Sequence, residues 1–379
     1  MINKICKIVL VSLLLMSCSS KKEAIHIPLP NEVKGMWFSY VDYQTFLKDT
    51  PKDKIEKKIE GILANCESIG INTIIVHAVA FTDSFYNSKI YPVTNKLNQK
   101  DIDYLKIFVD EAHERNMHVE AWINPMRSVS NDEVGKWDNE FILNKWINEG
   151  SDNIKLFEDR YYLNIATEDS QNLIISVVEE IVDNYDVDGI HMDDYFYPAK
   201  VDDSFDSNQY TGSSFTDIGE FRRYQVNTLV EKIYNVVHQK NLAFGISPSG
   251  NIEYSRDIIF GDTEAWIAKG IVDYVTPQIY WGFTNKNKPF EPTLQEWQTL
   301  VDNTNVKLIA GLAAYKVGIA SNDSDNDEWL NDSEILLKQI QSSKNTNNYG
   351  GYMLFSYHSL FGKENENMLN NRKNLVEID

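Results

Sequence analysis

The sequence predicts a single (β/α)8 barrel, and three observations lead to this α/β fold class. Strand-like and helix-like segments alternate eight times across residues 32–379. Such alternation predicts a parallel sheet, and eight units are the number that closes a parallel sheet into a barrel. No segment of different amino-acid composition interrupts the series. The glycine-rich first turn that is typical of an open doubly wound sheet is absent. One large domain, a TIM barrel, is therefore expected.

The eight predicted strands are apolar runs bounded by polar and aromatic residues. They cover residues 34–40, 71–79, 117–124, a stretch that begins at 188, 242–248, 273–281, 306–313 and 349–357. The second run is apolar almost throughout, which is typical of a strand buried on both faces. In the fourth strand Ile190 and Met192 alternate with His191 and Asp193. The first pair should face the surrounding helices and the second pair should point into the barrel.

Helices are predicted between these strands. They cover residues 51–70, 101–116, 170–185, 213–240, 262–270, 293–303 and 332–344, and a polar helix closes the chain. The first begins with Pro51 and ends at Gly70, positions at which each residue is tolerated. Cys66 lies at helical spacing with Ile62 and Ile69, which predicts a buried thiol. Residues 125–169 form a long excursion to which we assign no regular structure.

The first 31 residues have the pattern of a targeting signal followed by a tether. Lys4 and Lys7 precede a short apolar run, and small residues lead to Cys18. This pattern predicts a lipoprotein signal peptide over residues 1–17, lipidation of Cys18, and a polar tether over 18–31 that leads to the domain at 32–379. By its resemblance to lipoprotein sorting patterns, Ser19 implies the outer membrane of a Gram-negative bacterium. We expect a cell-envelope protein that contacts the membrane through its lipid anchor alone.

The composition excludes several classes of partner. The formal net charge of −20 argues against a nucleic-acid partner, which would need a basic surface. The three cysteines form no disulfide framework. The histidines at 77, 118, 191 and 358 fall at no recognisable zinc spacing. Neither a metal nor another cofactor is expected.

The candidate functional residues lie at the carboxyl ends of the predicted strands, where (β/α)8 barrels carry their active sites. They combine aromatic rings, amides, hydroxyls and acids, which suit the C–H faces and hydroxyl groups of sugar rings. The candidates for sugar binding are Trp37, His77, Trp122, Asn124, His191, Tyr195, Ser247, Gln278, Tyr280, Trp281 and Tyr357. A glycan is therefore the expected ligand, although about half of such aromatics are expected to be structural.

Two adjacent acids close the fourth strand. Asp193 should point into the barrel, so it is the first catalytic candidate, and Asp194 is the second. The structural alternative for this pair is a loop cap or a surface ion pair. Glycoside hydrolysis usually needs two carboxyl groups, yet the seventh strand ends without an acid. The second group is left open between Asp83, Glu120, Glu253 and an N-acetyl group of the substrate.

Five motifs occur in order along the chain: Gly-Met-Trp at 35–37, Asp-Ser-Phe-Tyr-Asn-Ser at 83–88, Trp-Ile-Asn-Pro-Met-Arg at 122–127, Asp-Gly-Ile-His-Met-Asp-Asp-Tyr at 188–195 and Pro-Gln-Ile-Tyr at 277–280. Together they resemble the glycosyl-hydrolase-like family ten over nearly the whole mature chain. The resemblance implies a (β/α)8 barrel of a kind often found on bacterial lipoproteins. It also implies cleavage of glycan strands, including peptidoglycan stripped of its peptides.

The fourth strand is also similar, more distantly, to the Asp-Gly-x-Asp-x-Asp-x-Glu strand of family 18 chitinases. Asp193 matches the last aspartate of that pattern, but Tyr195 stands where the catalytic glutamate is expected. His191 replaces another aspartate, and Tyr280 sits much as that group's strand-six tyrosine does. These differences argue against a simple chitinase mechanism.

The sequence thus predicts a glycoside hydrolase that cleaves O-glycosidic bonds in a cell-envelope or scavenged glycan. Asp193 and Asp194 are expected to supply acid and charge stabilisation, and Asp83 is a secondary catalytic candidate. Two alternatives stay open. One is a glycan-binding lipoprotein without catalysis, and the other is an envelope scaffold that uses the barrel as an inert body.

Overall fold

The computed structural model describes residues 26–136, 141–320, 324–325, 327–362 and 366–377. The predicted signal peptide, Cys18 and most of the predicted tether lie outside these residues. None of the described helices is both long enough and apolar enough to cross a membrane.

Eight parallel strands close into a barrel, which confirms the predicted fold. The barrel strands are β1 (Val33–Phe38), β2 (Thr73–Val79), β3 (His118–Ile123), β4 (Gly189–Met192), β5 (Ala243–Ile246), β6 (Tyr274–Val275), β7 (Lys307–Leu312) and β8 (Tyr349–Leu354). Each strand pairs with its neighbours in sequence, and β1 closes the ring by pairing with β8. The carboxyl ends of all eight strands therefore meet at one rim.

Helices surround the barrel in the predicted order. Those between successive barrel strands are Ile55–Ser68, Tyr104–Glu114, Glu168–Asn184, Ile218–His238, Thr263–Lys269, Phe290–Val301 and Ile335–Lys344, and Glu366–Val376 follows β8. Several begin at a side chain that accepts a hydrogen bond from a first-turn backbone N–H: Asp103, Thr167, Asp217 and Asp262. Cys66 is fully buried against the barrel, as its helical spacing predicts.

Shorter elements lie in the loops, and the sequence patterns did not indicate them. They are the helices Tyr40–Phe46, Ile142–Glu149, Ser207–Thr211, Ile252–Asp257, Glu328–Asn331 and Tyr357–Phe361. The excursion after β3, which had no assigned structure, carries a small antiparallel sheet formed by Arg127–Ser130, Ile154–Phe157 and Arg160–Leu163. Each of its strands has four residues, too few for a clear alternating pattern. This sheet stands beside the carboxyl ends of β2 and β3.

The sixth strand is much shorter than the predicted 273–281. Its regular pairing ends after Val275, although isolated bridges join Gln278 to Ser249 and to Gly311. Pro277 lies between these two parts and has no N–H to donate to a ladder. The chain therefore stays beside β7 up to Ile279, whose N–H donates to Gly311 O at 3.0 Å.

The barrel interior is filled by large side chains from alternate positions. Its apolar part consists of Val33, Trp37, Ile75, Trp122, Tyr274, Ile309 and Met353. Ile190 and Met192 belong instead to the larger apolar layer between the barrel and the helices, as the alternation of side chains along the fourth strand predicts. Gly245 faces Tyr274 across the β5–β6 pair, and a Cβ at Gly245 would lie 1.9 Å from the Tyr274 ring. The ring therefore occupies space that only glycine leaves free.

The segment that precedes β1 crosses the amino-terminal end of the barrel. Ile27 N–H donates to Asp188 Oδ1 at 2.6 Å, and Ile27 O lies 2.6 Å from Nδ1 of His118. Lys307 Nζ donates to Pro30 O at 2.9 Å. A cavity of about 520 Å³ lies at this end, and its lining contains none of the predicted site residues. The chain at residue 26 therefore lies at the end of the barrel opposite the carboxyl ends of the strands.

Candidate active site

A cleft of about 460 Å³ opens at the carboxyl ends of the barrel strands. Nine of the predicted site residues line it: Trp37, His77, Trp122, Asn124, Asp193, Tyr195, Ser247, Gln278 and Tyr280. They come from the ends of β1 to β6, so the closure of the barrel is what gathers them. Their roles in binding or catalysis stay predictions, but their convergence in one cleft is a property of the fold.

Several predicted site residues do not line this cleft. Trp281 is partly buried in the core, and the hydroxyl of buried Tyr357 accepts from Asn65 Nδ2 at 2.9 Å. Asp83 accepts Phe81 N–H at 2.9 Å and the Thr94 hydroxyl at 2.5 Å, so its carboxylate ties the loop after β2 together. Trp281, Tyr357 and Asp83 therefore lie outside the cleft, and the roles predicted for them find no support in its geometry.

The other two carboxylate candidates also lie away from the cleft. Glu120 is fully buried on β3, where it accepts from Tyr274 Oη at 2.6 Å and lies 2.8 Å from His118 Nε2. Glu253 is exposed on the helix Ile252–Asp257. Among the described residues that line the cleft, Asp193 is therefore the one carboxylic acid.

His191 lies in the floor beneath the cleft instead of lining it. Its Nδ1 is 2.8 Å from Tyr274 Oη, and its Nε2 is 3.0 Å from Ser247 Oγ. Because the Tyr274 hydroxyl donates to Glu120, its oxygen must accept from His191 Nδ1–H. Burial lowers the His191 pKa to about 3, so the ring is neutral and Nε2 accepts from Ser247. Nε2 also accepts from Trp37 Nε1 at 3.4 Å, so His191 contacts two residues that line the cleft without lining it itself.

Asp193 is held by two donors at the end of β4. Trp122 Nε1 donates to Oδ2 at 3.0 Å, and Tyr195 N–H donates to Oδ1 at 3.1 Å. The side chain is only 2% exposed and points into the barrel, as its phase predicted. Asp194 is partly exposed and does not line the cleft, and Gln278 Nε2 donates to its Oδ1 at 3.0 Å. The two adjacent carboxyl groups therefore lie in different surroundings.

The surroundings separate the pKa values of the two acids. Burial, followed by the charge of Asp194, raises the pKa of Asp193 to about 8. Burial also raises the pKa of Asp194, to about 6, against the hydrogen bond from Gln278. At pH 7 Asp193 is therefore mainly protonated and Asp194 mainly ionised. Such a separation is typical of an acid that donates a proton beside a carboxylate that stabilises positive charge.

His77 lines the cleft and carries a buried donor without a partner among the described residues. Tyr40 N–H donates to its Nδ1 at 3.1 Å, and burial lowers its pKa well below the usual value, so the ring is neutral with the proton on Nε2. That Nε2–H is buried and has no acceptor among the described residues. The ring stacks on Trp122, with centroids 3.5 Å apart. A ligand oxygen is therefore the natural acceptor.

Asn124 complements this donor, because its Oδ1 is buried without a donor partner in the described chain. It lines the same cleft, with Trp122 two residues before it on β3. Tyr280 adds a phenol whose pKa burial raises well above the usual value, so it stays protonated. The cleft thus offers a donor, an acceptor and a hydroxyl beside indole surfaces, which suits a sugar ring and its polar substituents.

Six further residues line the cleft and were not among the predicted site residues. They are Ser39, Tyr40, Arg127, Tyr315, Phe355 and His358, with Val41 as an additional wall. All of them follow barrel strands, so their position in the sequence indicates that they lie near the carboxyl ends of the strands. Position in the sequence does not distinguish a side chain that points into the cleft from one that packs under a loop. In the described part of the chain, no group of three or more His, Cys, Asp or Glu side chains could hold a metal ion.

Known proteins resemble this chain in sequence. The family model described as Glycosyl hydrolase-like 10 matches residues 32–331. Glycosyl hydrolase YngK of Bacillus subtilis (strain 168) is 28% identical over 360 residues, a match that covers 87% of this chain and 69% of that protein. Glycosyl hydrolase DigH of Escherichia coli (strain K12) is 29% identical over 328 residues, or 77% of this chain and 73% of that protein.

Two solved structures share the fold. The glycoside hydrolase domain of PgaB (BpsB) from Bordetella bronchiseptica matches with a TM-score of 0.58 at 11% identity, over 92% of this chain and 99% of that one. Alpha-L-fucosidase isoenzyme 2 from Paenibacillus thiaminolyticus matches with a TM-score of 0.60 at 14% identity, over 91% and 49%. The family match confirms the resemblance found in the motifs. This chain belongs to the Glycosyl hydrolase-like 10 family and is a glycoside hydrolase.

Proposed function

We propose that the protein cleaves glycan strands of the cell envelope, with peptidoglycan freed of its peptides as the leading substrate, and that Asp193 is the general acid. The observation that carries the proposal is the pair Asp193 and Asp194, whose pKa values of about 8 and about 6 leave one acid protonated and one ionised at neutral pH. The choice of peptidoglycan is supported by the family resemblance of the motifs. A scavenged polysaccharide is the alternative substrate.

In this proposal Asp193 donates its proton to the glycosidic oxygen as the bond to the anomeric carbon breaks. Positive charge develops on the sugar ring, and ionised Asp194 stabilises it from behind Gln278. Trp37 and Trp122, only 1% and 5% exposed, form an aromatic floor beneath the sugar, and His77 and Asn124 bind its polar substituents. The buried position of Asp193 keeps its proton available at the pH of the envelope.

The nucleophile has two possible sources once Asp83, Glu120 and Glu253 are set aside. One is the carbonyl oxygen of a 2-acetamido group on the substrate, and the other is a water activated by Asp194. The unpaired donor of His77 and acceptor of Asn124 match the carbonyl and N–H of an acetamido group, which favours the first source. Strong inhibition by a thiazoline analogue of N-acetylglucosamine is then expected. No inhibition would favour activated water.

The activity is tested by counting reducing ends released from purified glycan strands. Wild-type protein should release them, and Asp193→Asn should be slower by about 100-fold or more, because a general acid contributes on this scale. Glu253→Gln is the matched control, since it removes an exposed carboxyl group outside the cleft and should leave the rate unchanged. Binding of strands without release of reducing ends would identify a glycan-binding lipoprotein. Absence of binding would point to an inert scaffold.

We further propose that Cys18 carries a lipid that holds the protein at the outer membrane. Cys18 precedes His26 by eight residues, so the extended chain between them spans at most about 29 Å. Since residue 26 enters at the amino-terminal end of the barrel, the cleft would face away from the membrane and towards the glycan layer. Cys18→Ser should move the protein from the membrane fraction to the soluble fraction of cells and abolish incorporation of a labelled palmitate analogue. Unchanged fractionation would refute the anchor.

A further inference from the structure

Three cations surround one aromatic ring beside the cleft. Lys96 Nζ and the guanidinium carbons of Arg127 and Arg160 lie 4.5, 4.8 and 4.7 Å from the centre of the Phe81 ring. Two of the three have protein partners. Arg160 Nη1 donates to Ser128 O at 2.7 Å, and Lys96 Nζ lies 3.9 Å from a carboxylate oxygen of the loop after β2. Arg127 is the one member of this cation cluster that lines the cleft.

The guanidinium of Arg127 packs against two aromatic rings and has no acceptor among the described residues. It lies 4.0 Å from the centre of the Tyr195 ring in addition to its contact with Phe81. Across the described ranges it makes no salt bridge and no side-chain hydrogen bond. A half-buried guanidinium has five N–H donors, and two aromatic faces cannot satisfy them. The planar edge of the group is therefore available to an oxyanion in the cleft.

Charge compensation of the acid pair does not account for Arg127. Its positive charge lowers the pKa values of Asp193 and Asp194, yet burial outweighs this effect and both values stay well above the usual range. Arg127 therefore interacts with the acid pair through its charge, and this interaction does not occupy its N–H donors.

We propose that Arg127 binds a carboxylate carried by the sugar next to the scissile bond, and so determines specificity for acidic glycans. The inference rests on the proposed function and narrows it, because peptidoglycan strands without peptides carry free carboxylates on their lactyl ether groups. A chain with a net charge of −20 repels an anionic polymer at long range. A local cation cluster at the cleft offsets this repulsion where the substrate binds. A neutral glycan would need no such group.

The test compares two oligosaccharides that differ only in charge. One is an N-acetylhexosamine oligomer whose alternate sugars carry a lactyl ether carboxylate, and the other is the same oligomer with its carboxylates amidated. The measured quantity is the ratio of kcat/KM for the acidic oligomer to kcat/KM for the amidated one. Since loss of a charge-assisted bidentate contact costs about 10- to 100-fold, Arg127→Met should lower this ratio by that factor. Most of the loss should appear in KM for the acidic oligomer.

Two variants control for charge and for folding. Arg160→Met makes the same change in net charge beside the same ring but outside the cleft, so the ratio should change by no more than about twofold. Arg127→Lys keeps the charge without the planar fork and should give an intermediate ratio, which also covers the case in which Arg127→Met does not fold. An unchanged ratio in both Arg127 variants would overturn the subsite.

The experiment distinguishes a wrong assignment of the Arg127 subsite from a wrong assignment of the hydrolase function. If wild-type protein releases reducing ends from both oligomers with a ratio near one, the hydrolase stands and the carboxylate subsite is refuted. If it releases none from either oligomer, the proposed function is refuted. The dissociation constants of the two oligomers, measured by calorimetry, then still test Arg127. Equal affinities would refute the subsite as well.

Discussion

The separated pKa values of Asp193 and Asp194 predict a bell-shaped dependence of kcat/KM on pH. Activity requires Asp193 protonated, with a pKa of about 8, and Asp194 ionised, with a pKa of about 6. These values leave about 80% of the enzyme in the active protonation state at pH 7, and about 9% at pH 5 and at pH 9. The optimum should therefore lie near neutral pH, with a fall of roughly ninefold two pH units to either side.

Asp194→Asn tests the assignment of the two limbs. The acidic limb comes from protonation of Asp194, so it should disappear in this variant. The charge of Asp194 also raises the pKa of Asp193, so its removal should move the alkaline limb to lower pH. The amide oxygen of the substituted side chain can still accept from Gln278, which preserves the local geometry. The assay is the release of reducing ends from glycan strands between pH 4 and pH 10, at constant ionic strength.

The control is Glu253→Gln, which removes an exposed carboxyl group and should leave both limbs in place. Two results would refute the reasoning. One is a wild-type profile that stays flat from pH 5 to pH 9. The other is an Asp194→Asn profile that keeps both limbs at their original midpoints. Either result would mean that burial does not set the working protonation states of this pair.

Three further predictions follow from buried groups and close contacts. The folded state holds a proton on Asp193 up to a pKa of about 8, whereas the unfolded chain releases this proton at the ordinary, lower pKa of an aspartate. The free energy of unfolding of the wild type should therefore fall as pH rises towards about 8. Calorimetry should show that the Tm of Asp193→Asn increases relative to the wild-type Tm from pH 5 to pH 8. His77→Phe removes the unpaired Nε2 donor together with the acceptor of Tyr40 N–H, so it should lower kcat/KM by roughly 10-fold with a small loss in Tm, whereas an unchanged kcat/KM would exclude a bond from His77 to substrate. Gly245→Ala should destabilise the fold by about 1–3 kcal/mol or more in urea unfolding, because its Cβ would overlap the Tyr274 ring. Gly61→Ala, in an exposed helical position with nothing near its Cβ, should instead stabilise by up to about 1 kcal/mol, and equal effects of the two substitutions would contradict the packing argument.

The sequence by itself determined the barrel and the orientation of its fourth strand. Hydrophobic periodicity depends only on residues that are near one another in sequence, so the alternation of strands and helices can be predicted without a structure. The same period places Asp193 inside and Met192 outside, because successive side chains of a strand point to opposite faces. The predicted length of the sixth strand was wrong, because Pro277 interrupts the strand and the regular pairing ends before it.

The tertiary structure alone decided which of the polar side chains share the cleft. Asp83 and Tyr357 follow strands just as Tyr40 and Arg127 do, yet the first two are engaged by Thr94 and Asn65 while the second two line the site. Thr94 lies in the same loop as Asp83, whereas Asn65 lies 292 residues before Tyr357 on another helix. No local hydrophobic pattern reports either partner.

The ionisation of the acid pair was equally beyond the sequence. Two adjacent aspartates look alike in a string of letters. Burial raises both pKa values, and they separate because the charge of Asp194 raises the pKa of Asp193 further, whereas the hydrogen bond from Gln278 lowers the pKa of Asp194. Local periodicity therefore specified the fold, whereas long-range contacts and burial specified the chemistry of its site.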